Sequence, residues 1–140
     1  MADYLPIIFG VMALIVIYTL WLRILAPKMA GVEKIDMVAY KEVFRKQSHL
    51  LLDVRSDSEF AAAHAPKAKH MPVETVARST RSEMEALIKG KPVVCICASG
   101  SRSKMAATVI ARLGFKPVYT LTGGMSAWQA AGETVKRSKS

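Results

Sequence analysis

The sequence contains few cysteines: only Cys95 and Cys97 occur among its 140 residues. They lie two positions apart in an apolar run that resembles a strand, where a disulfide between them would be badly strained. A reducing compartment would therefore suit this chain, because it keeps Cys97 free. The three histidines, His49, His64 and His70, lack metal-ligand spacing with the cysteines, so we predict no metal site.

Acidic residues are also scarce. The chain has 11 Asp and Glu residues against 20 Lys and Arg residues, which gives a net charge of +9. The basic residues are scattered among glutamates without interleaved aromatic residues, which argues against nucleic acid as a partner. A basic domain beside a membrane is instead attracted to anionic lipid headgroups and to small anionic substrates. We interpret the basic tail at residues 136–140 as a solvated end.

Charge is absent from residues 5–22, and apolar residues 24–26 extend this run past Arg23. The run reaches the length of about 20 residues that a bilayer span requires. We therefore predict an N-terminal transmembrane anchor within residues 1–26. A cleaved signal peptide is the alternative, but the first residues lack a basic region and the run exceeds the usual apolar core of such peptides.

Positive charge follows the apolar run and does not precede it. Arg23, Lys28 and Lys34 lie on its C-terminal side, whereas Asp3 lies on its N-terminal side. The positive-inside rule then predicts that the rest of the chain lies in the cytosol, which in a bacterium means a single-pass protein of the inner membrane. Residues 27–34 are predicted to be a linker, because Pro and Gly within them resist helix continuation.

Residues 35–135 have the alternating pattern of an α/β domain. Apolar runs predict extended segments at residues 50–54, 71–73, 93–96 and 117–121. Capping residues and helical spacing predict helices that begin after Asp36, Ser56 and Thr80, one that ends at Gly114, and one over residues 125–131. This order predicts a mostly parallel central sheet with helices on both faces, and ligands of such sheets bind at the carboxyl ends of the strands.

The loop after the strand at residues 93–96 carries the strongest candidate site. Cys97 begins this loop, and a helix is predicted to follow within a few residues. At such a turn backbone N–H groups converge and the helix dipole adds positive charge, so the turn favours a bound anion. The same donors and Arg102 would favour the thiolate of Cys97 over its thiol. We therefore predict that Cys97 is a nucleophile.

Four ordered motifs resemble those of single-domain rhodaneses, the sulfurtransferase family. They are Leu-Leu-Asp-Val-Arg-Ser-Asp-Ser-Glu-Phe at 51–60, His-Ala-Pro-Lys-Ala at 64–68, Cys-Ala-Ser-Gly-Ser-Arg-Ser at 97–103, and Leu-Thr-Gly-Gly-Met-Ser-Ala-Trp at 121–128 with Gly132. The resemblance covers about residues 35–135 and implies a rhodanese-like fold behind the predicted membrane anchor. The chain departs from the family pattern at Ala65 and Lys67, where isoleucine and glycine are usual.

The resemblance implies that sulfane sulfur is transferred through a persulfide on Cys97. The donor would be a small sulfur-containing anion such as thiosulfate or a persulfide, and the acceptor a thiol, on a small molecule or a protein, or cyanide. No metal or organic cofactor is implied. The implied substrate-binding residues follow the nucleophile: Ala98, Ser99, Gly100, Ser101, Arg102 and Ser103. Asp53 and Arg55, at the end of the predicted strand at residues 50–54, would support this loop.

Alternatives remain open for function and for single residues. Phosphatases and arsenate reductases of this fold have one more residue between cysteine and arginine, whereas four separate Cys97 from Arg102, which favours sulfur. A membrane-tethered module that binds a partner protein with little turnover is a further reading. Cys95 is either a core residue or a resolving thiol, since side chains two positions apart share one side of a strand. Glu59 is interpreted as a helix-start residue.

Overall fold

The computed structural model describes residues 2–25 and 31–138. The predicted end of the anchor at residue 26, the linker residues 27–30 and the tail residues 139–140 lie outside the described residues. Near the N-terminus, α1 (Leu5–Leu20) continues as a π-helical segment (Trp21–Leu25). The resulting helix Leu5–Leu25 has 21 residues and no buried residue, and an 18-residue window within it has a mean hydropathy of 2.4. It is long and apolar enough to cross a bilayer, although a signal sequence meets the same criteria.

The other elements alternate between strands and helices along the chain. The strands are β1 (Val32–Ile35), β2 (Leu50–Asp53), β3 (Lys69–His70), β4 (Val93–Ile96) and β5 (Val118–Leu121). The helices are α2 (Met37–Phe44), α3 (Asp57–Ala62), α4 (Val73–Arg78), α5 (Arg81–Ile88), α6 (Ser101–Arg112) and α7 (Gly124–Ala130).

The strands form one parallel sheet in the order β1-β5-β4-β2-β3. The central strands β2 and β4 consist almost entirely of apolar residues and are buried on both faces. One face packs against α4, α5 and α6, with Val76, Met84 and Ile110 in its core. The other face packs against α2 and α7, with Phe44 and Trp128 in its core. This arrangement confirms the predicted α/β fold with helices on both faces.

Three helices start where the capping residues predicted. The Asp36 side chain accepts a hydrogen bond from the Ala39 backbone N–H ahead of α2. Ser56 and Thr80 open complete capping boxes at α3 and α5, in which Glu59 and Glu83 accept from the backbone N–H of the capping residue. These local contacts satisfy backbone groups that the first turn of a helix otherwise leaves unpaired.

The structure differs from the sequence-based expectation at both ends of the sheet. Val32 to Lys34, assigned to the linker, belong to β1 and pair with β5. The extended segment expected at residues 71–73 is wrong in position: β3 is Lys69–His70, and Val73 begins α4. Pro72 explains the shift, because its fixed φ suits the residue that precedes a helix and it has no N–H to offer a strand neighbour.

The first residues of the basic tail are attached to the domain. The Lys136 backbone exchanges two hydrogen bonds with His64, and the Ser138 N–H donates to the Ala61 carbonyl. Their side chains are exposed, as expected of a solvated end, but their backbone is part of the fold.

Candidate active site

Cys97 lies where β4 ends and the loop to α6 begins, at the carboxyl edge of the sheet. Its side chain is almost fully buried, with 1% of its surface exposed. The loop turns back on itself through Gly100, whose φ of +119° is a conformation that side-chain-bearing residues rarely adopt. Gly100 therefore lets the chain curl around the sulfur before α6 starts at Ser101.

The hydrogen bonds around the sulfur lower the pKa of Cys97 below its usual value. Burial alone would raise this pKa, but the Ser103 hydroxyl and the backbone N–H groups of Ser103, Gly100 and Ser99 outweigh it. The Gly100 N–H donates to Sγ at 2.9 Å, and Ser103 Oγ lies 3.5 Å from Sγ. Backbone N–H groups therefore converge on the sulfur, and they make ionisation of this thiol easier than that of an ordinary cysteine.

Removal of the Ser103 hydroxyl is expected to raise the pKa of Cys97. Ser103 is fully buried, and its hydroxyl lies 3.5 Å from Sγ and 3.0 Å from the Gly100 carbonyl, so its one proton is available to Sγ when Cys97 is a thiolate and to the carbonyl otherwise. In Ser103→Ala, the pH profile of iodoacetamide alkylation should move to higher pH, with the rate at neutral pH reduced about fivefold to tenfold.

Ser101→Ala is the matched control for this measurement, because Ser101 lies in the first turn of α6, as Ser103 does, but is exposed. Its alkylation profile should match that of the unmodified protein. An unchanged profile in Ser103→Ala would show that the backbone donors alone set the reactivity of Cys97.

Hydrogen bonds also hold the Cys97 loop against the start of α7. The Met125 N–H donates to the Cys97 carbonyl at 2.7 Å. The Ser126 N–H and hydroxyl both donate to the Ala98 carbonyl, at 3.3 and 3.2 Å. Gly124 makes this approach possible, because a Cβ there would collide with the Cys97 carbonyl oxygen. In the sequence Gly124 was noted only as part of the motif at 121–128, and its role in this contact was missed.

The guanidinium group of Arg102 is bound by a carboxylate of the same chain. Its two terminal nitrogens donate to the two carboxylate oxygens of Glu59, at 2.7 and 2.8 Å. The Glu59 contact is the main cause that raises the pKa of Arg102, and attraction to the Cys97 thiolate is a smaller one. Arg102 is therefore attracted to the thiolate by its charge, whereas the hydrogen bonds that lower the pKa of Cys97 come from Ser103 and backbone N–H groups.

Glu59 was missed as a site residue because its capping box already accounted for it. In the structure it has both functions, since it caps α3 and also binds Arg102. The hydrogen bonds from Arg102 and then from Ser56 hold the pKa of Glu59 far below its usual range, so the carboxylate remains charged.

Asp53 and Arg55 form a buried ion pair at the end of β2. Arg55 donates through Nε and a terminal nitrogen to Asp53, at 3.0 and 2.8 Å, and a terminal nitrogen also donates to the Ala63 carbonyl. The adjacent Val54 N–H donates to the Ile96 carbonyl, one residue before Cys97. The pair thus supports the strand end beside the loop, and Asp53 lies near enough to contribute to the raised pKa of Arg102.

The remaining predicted residues fall into two groups. Ser99 and Ser101 are exposed, and Ala98 is half-buried at the edge of the loop. Cys95 is fully buried on the same face of the sheet as Cys97. Burial, and then repulsion from Cys97, raise the pKa of Cys95 to about 12. This favours the interpretation of Cys95 as a core residue over its interpretation as a resolving thiol.

Residues 37–131 match the model of the Rhodanese-like domain family. The "putative sulfurtransferase YtwF" of Bacillus subtilis is 38% identical over 74% of this chain and 94% of its own length. The thiosulfate sulfurtransferase GlpE of Vibrio cholerae is 33% identical over 67% of this chain and 84% of its own length.

Two further similarities complete the comparison. The match to the "putative sulfur carrier protein YrkF" of Bacillus subtilis is 33% identical over 71% of this chain, and spans about half of that relative, 52% of its length. A rhodanese-related protein of Thermoplasma volcanium superposes with a TM-score of 0.63 at 24% identity, covering 74% of this chain and 97% of that one. This likeness supports the fold.

Proposed function

Because the chain belongs to the rhodanese-like domain family, we propose that it transfers sulfane sulfur through a persulfide on Cys97. The relatives named as sulfurtransferases support this class of reaction. The observation that carries the proposal is the environment of the thiol, which is buried, accepts the Gly100 N–H at 2.9 Å and has a lowered pKa. A thiol with a lowered pKa offers more thiolate than an ordinary cysteine at the same pH, and the thiolate is the nucleophilic form.

The reaction has two displacement steps. The Cys97 thiolate attacks the outer sulfur of the donor, and a bond forms between Sγ and that sulfur. The bond from the outer sulfur to the rest of the donor breaks, and its electron pair leaves on sulfite if the donor is thiosulfate, or on a thiolate if it is a persulfide. An acceptor thiolate or cyanide then attacks the terminal sulfur, and Cys97 leaves as a thiolate, ready for another cycle.

Residues 98–103, which are the loop and the first turn of α6, are proposed to bind the anionic groups of both steps. The backbone N–H groups and the Ser103 hydroxyl that lower the pKa of Cys97 also suit a persulfide anion, because its charge lies one atom further out. The exposed hydroxyls of Ser99 and Ser101 are available as donors to the entering substrate. Asp53 and Arg55 have a supporting part, since they stabilise the strand end beside the loop.

The mass of the intact protein tests this proposal directly. The full chain, purified in detergent, is measured before and after exposure to thiosulfate and, separately, to a small organic persulfide. A gain of one sulfur atom that cyanide or a thiol removes is the expected result. If neither donor adds sulfur, the transfer reaction is wrong, and the domain is better explained as a binding module.

We propose further that Leu5–Leu25 anchors the domain to a membrane as a single-pass helix, with the domain on the cytosolic side. Its length, the mean hydropathy of 2.4 in an 18-residue window of it and the basic Arg23 near its end support this. The full-length protein should remain with the membrane fraction after extraction with alkaline carbonate. Release into the supernatant, together with a shortened N-terminus by mass, would favour a cleaved signal peptide instead.

A further inference from the structure

The ion pair between Glu59 and Arg102 joins α3 to the first turn of α6, where the Cys97 loop ends. Both side chains are about one-third exposed, at 36% and 34%, so the pair lies at the surface beside the loop. Each terminal nitrogen of Arg102 donates to a different oxygen of Glu59. The part of the guanidinium best suited to a sulfonate or another oxyanion is therefore already occupied.

Glu59 is also held from its other side. The Ser56 N–H and hydroxyl donate to Glu59 Oε2 at 2.9 and 2.8 Å. The carboxylate is thus fixed by the capping box and by Arg102 together. The lowered pKa of Glu59 keeps it ionised throughout the neutral range, so the pair carries no net charge.

This neutral pair should affect the loading rates of two classes of donor differently, because their leaving groups carry different charges. In thiosulfate the sulfane sulfur is bonded to a sulfonate group, and the leaving sulfite takes two negative charges. In an organic persulfide the leaving thiolate takes one charge, on sulfur. Because Glu59 neutralises Arg102 and occupies both of its terminal nitrogens, neither donor is attracted by this arginine, and thiosulfate loses more by this than a persulfide does, since attraction to a cation grows with the charge of the donor.

We propose that Glu59 is a specificity-determining residue that makes the Cys97 site favour organic persulfides over thiosulfate. The inference rests on the proposed sulfur transfer and names its preferred donor class. In both cases the Cys97 thiolate forms a bond to the outer sulfur, and the broken sulfur–sulfur bond leaves its electron pair on the departing group. The two donors therefore differ in the departing group, which is a sulfite dianion in one case and a thiolate in the other.

Glu59→Gln tests the inference with little disturbance of the fold. Glutamine has the same shape, is itself a favourable residue at this position of a capping box, and retains an oxygen for Arg102. The variant removes one negative charge, so Arg102 gains an uncompensated positive charge beside the loop. The rate of Cys97 loading by thiosulfate should rise about tenfold relative to loading by the persulfide of 2-mercaptoethanol.

Glu83→Gln is the matched control, since Glu83 occupies the same position of the second capping box and binds the Thr80 N–H at 2.8 Å. It should leave the ratio of the two loading rates unchanged. A second readout is salt: thiosulfate loading should fall more steeply with ionic strength in Glu59→Gln than in the unmodified protein, because an exposed cation then attracts the dianion.

The outcomes separate this inference from the proposed function. If both donors load Cys97 and the ratio is the same in Glu59→Gln and Glu83→Gln, sulfur transfer stands and the role of Glu59 is overturned. A fall in the thiosulfate ratio in Glu59→Gln would also overturn it, and would show that Glu59 assists this donor by positioning Arg102. If neither donor loads the unmodified protein, both the transfer and the inference are overturned.

Discussion

Replacement of Cys97 by serine is expected to abolish sulfur uptake from every donor. The serine hydroxyl fits the same space and can accept the Gly100 N–H that now donates to Sγ at 2.9 Å, so the loop should be preserved. A hydroxyl is not ionised at neutral pH and forms no stable persulfide, so the rate of loading should fall by about a thousandfold or more. Intact-mass measurement after exposure to thiosulfate or a persulfide would detect this loss.

Cys95→Ala is the control for this prediction. Cys95 lies two residues earlier on the same face of the sheet, is fully buried, and has a pKa raised to about 12, so it has little thiolate to offer. The variant should load one sulfur as the unmodified protein does. Its free energy of unfolding should fall by about 1 kcal/mol, because the smaller side chain leaves a small cavity.

The two variants together assign the sulfur to one of two neighbouring thiols. Sulfur uptake that persists in Cys97→Ser would place the nucleophile elsewhere and contradict the proposed mechanism. Loss of uptake in a folded Cys95→Ala protein would show that Cys95 is itself needed for loading, and would contradict its interpretation as a core residue. Circular dichroism of each variant shows whether the fold is retained.

The parts of the fold that local sequence determines could be predicted well. β4 is Val93–Ile96, as its β-branched apolar run predicted, and α3 and α5 start at the predicted capping boxes. β1 escaped detection because Glu33 and Lys34 are exposed on an edge strand, so its sequence lacks the apolar run of a buried strand. Its strand conformation depends on pairing with β5, which lies more than 80 residues further along the chain.

The candidate site also has one part that the local sequence predicts and one part that it does not. The surroundings of the Cys97 sulfur come from residues within six positions of it, so the ring of N–H donors could be predicted from the local strand-loop-helix pattern. The partner of Arg102 lies 43 residues away, and no local signal links it to Glu59. The capping box already explains why a glutamate occupies position 59. The sequence therefore gives no indication that Glu59 also contacts Arg102.

Gly124 should be one of the least replaceable residues outside the Cys97 loop. Its φ is +51°, and a Cβ there would meet the carbonyl group of Cys97 and the carbonyl carbon of Ala98, which are backbone atoms that cannot move without moving the loop. In Gly124→Ala the loop must shift away from α7 and weaken the 2.7 Å hydrogen bond from the Met125 N–H to the Cys97 carbonyl. We expect a loss of about 2–4 kcal/mol in the free energy of unfolding.

The effect on sulfur transfer should exceed what this loss of stability explains, because Gly124→Ala moves the residue that carries the nucleophile. A displacement of about 1 Å at a reacting group costs on the order of a hundredfold in rate. Gly90→Ala separates the two effects: Gly90 has a φ of +73° but no atom within 4 Å of an added Cβ, so its replacement costs only backbone strain of about 1 kcal/mol. Loading rates measured well below the unfolding temperature should therefore fall in Gly124→Ala and stay unchanged in Gly90→Ala. Equal rates in the two variants would mean that the loop keeps its geometry without its contact to α7, and that the donors around Cys97 are organised by the loop alone.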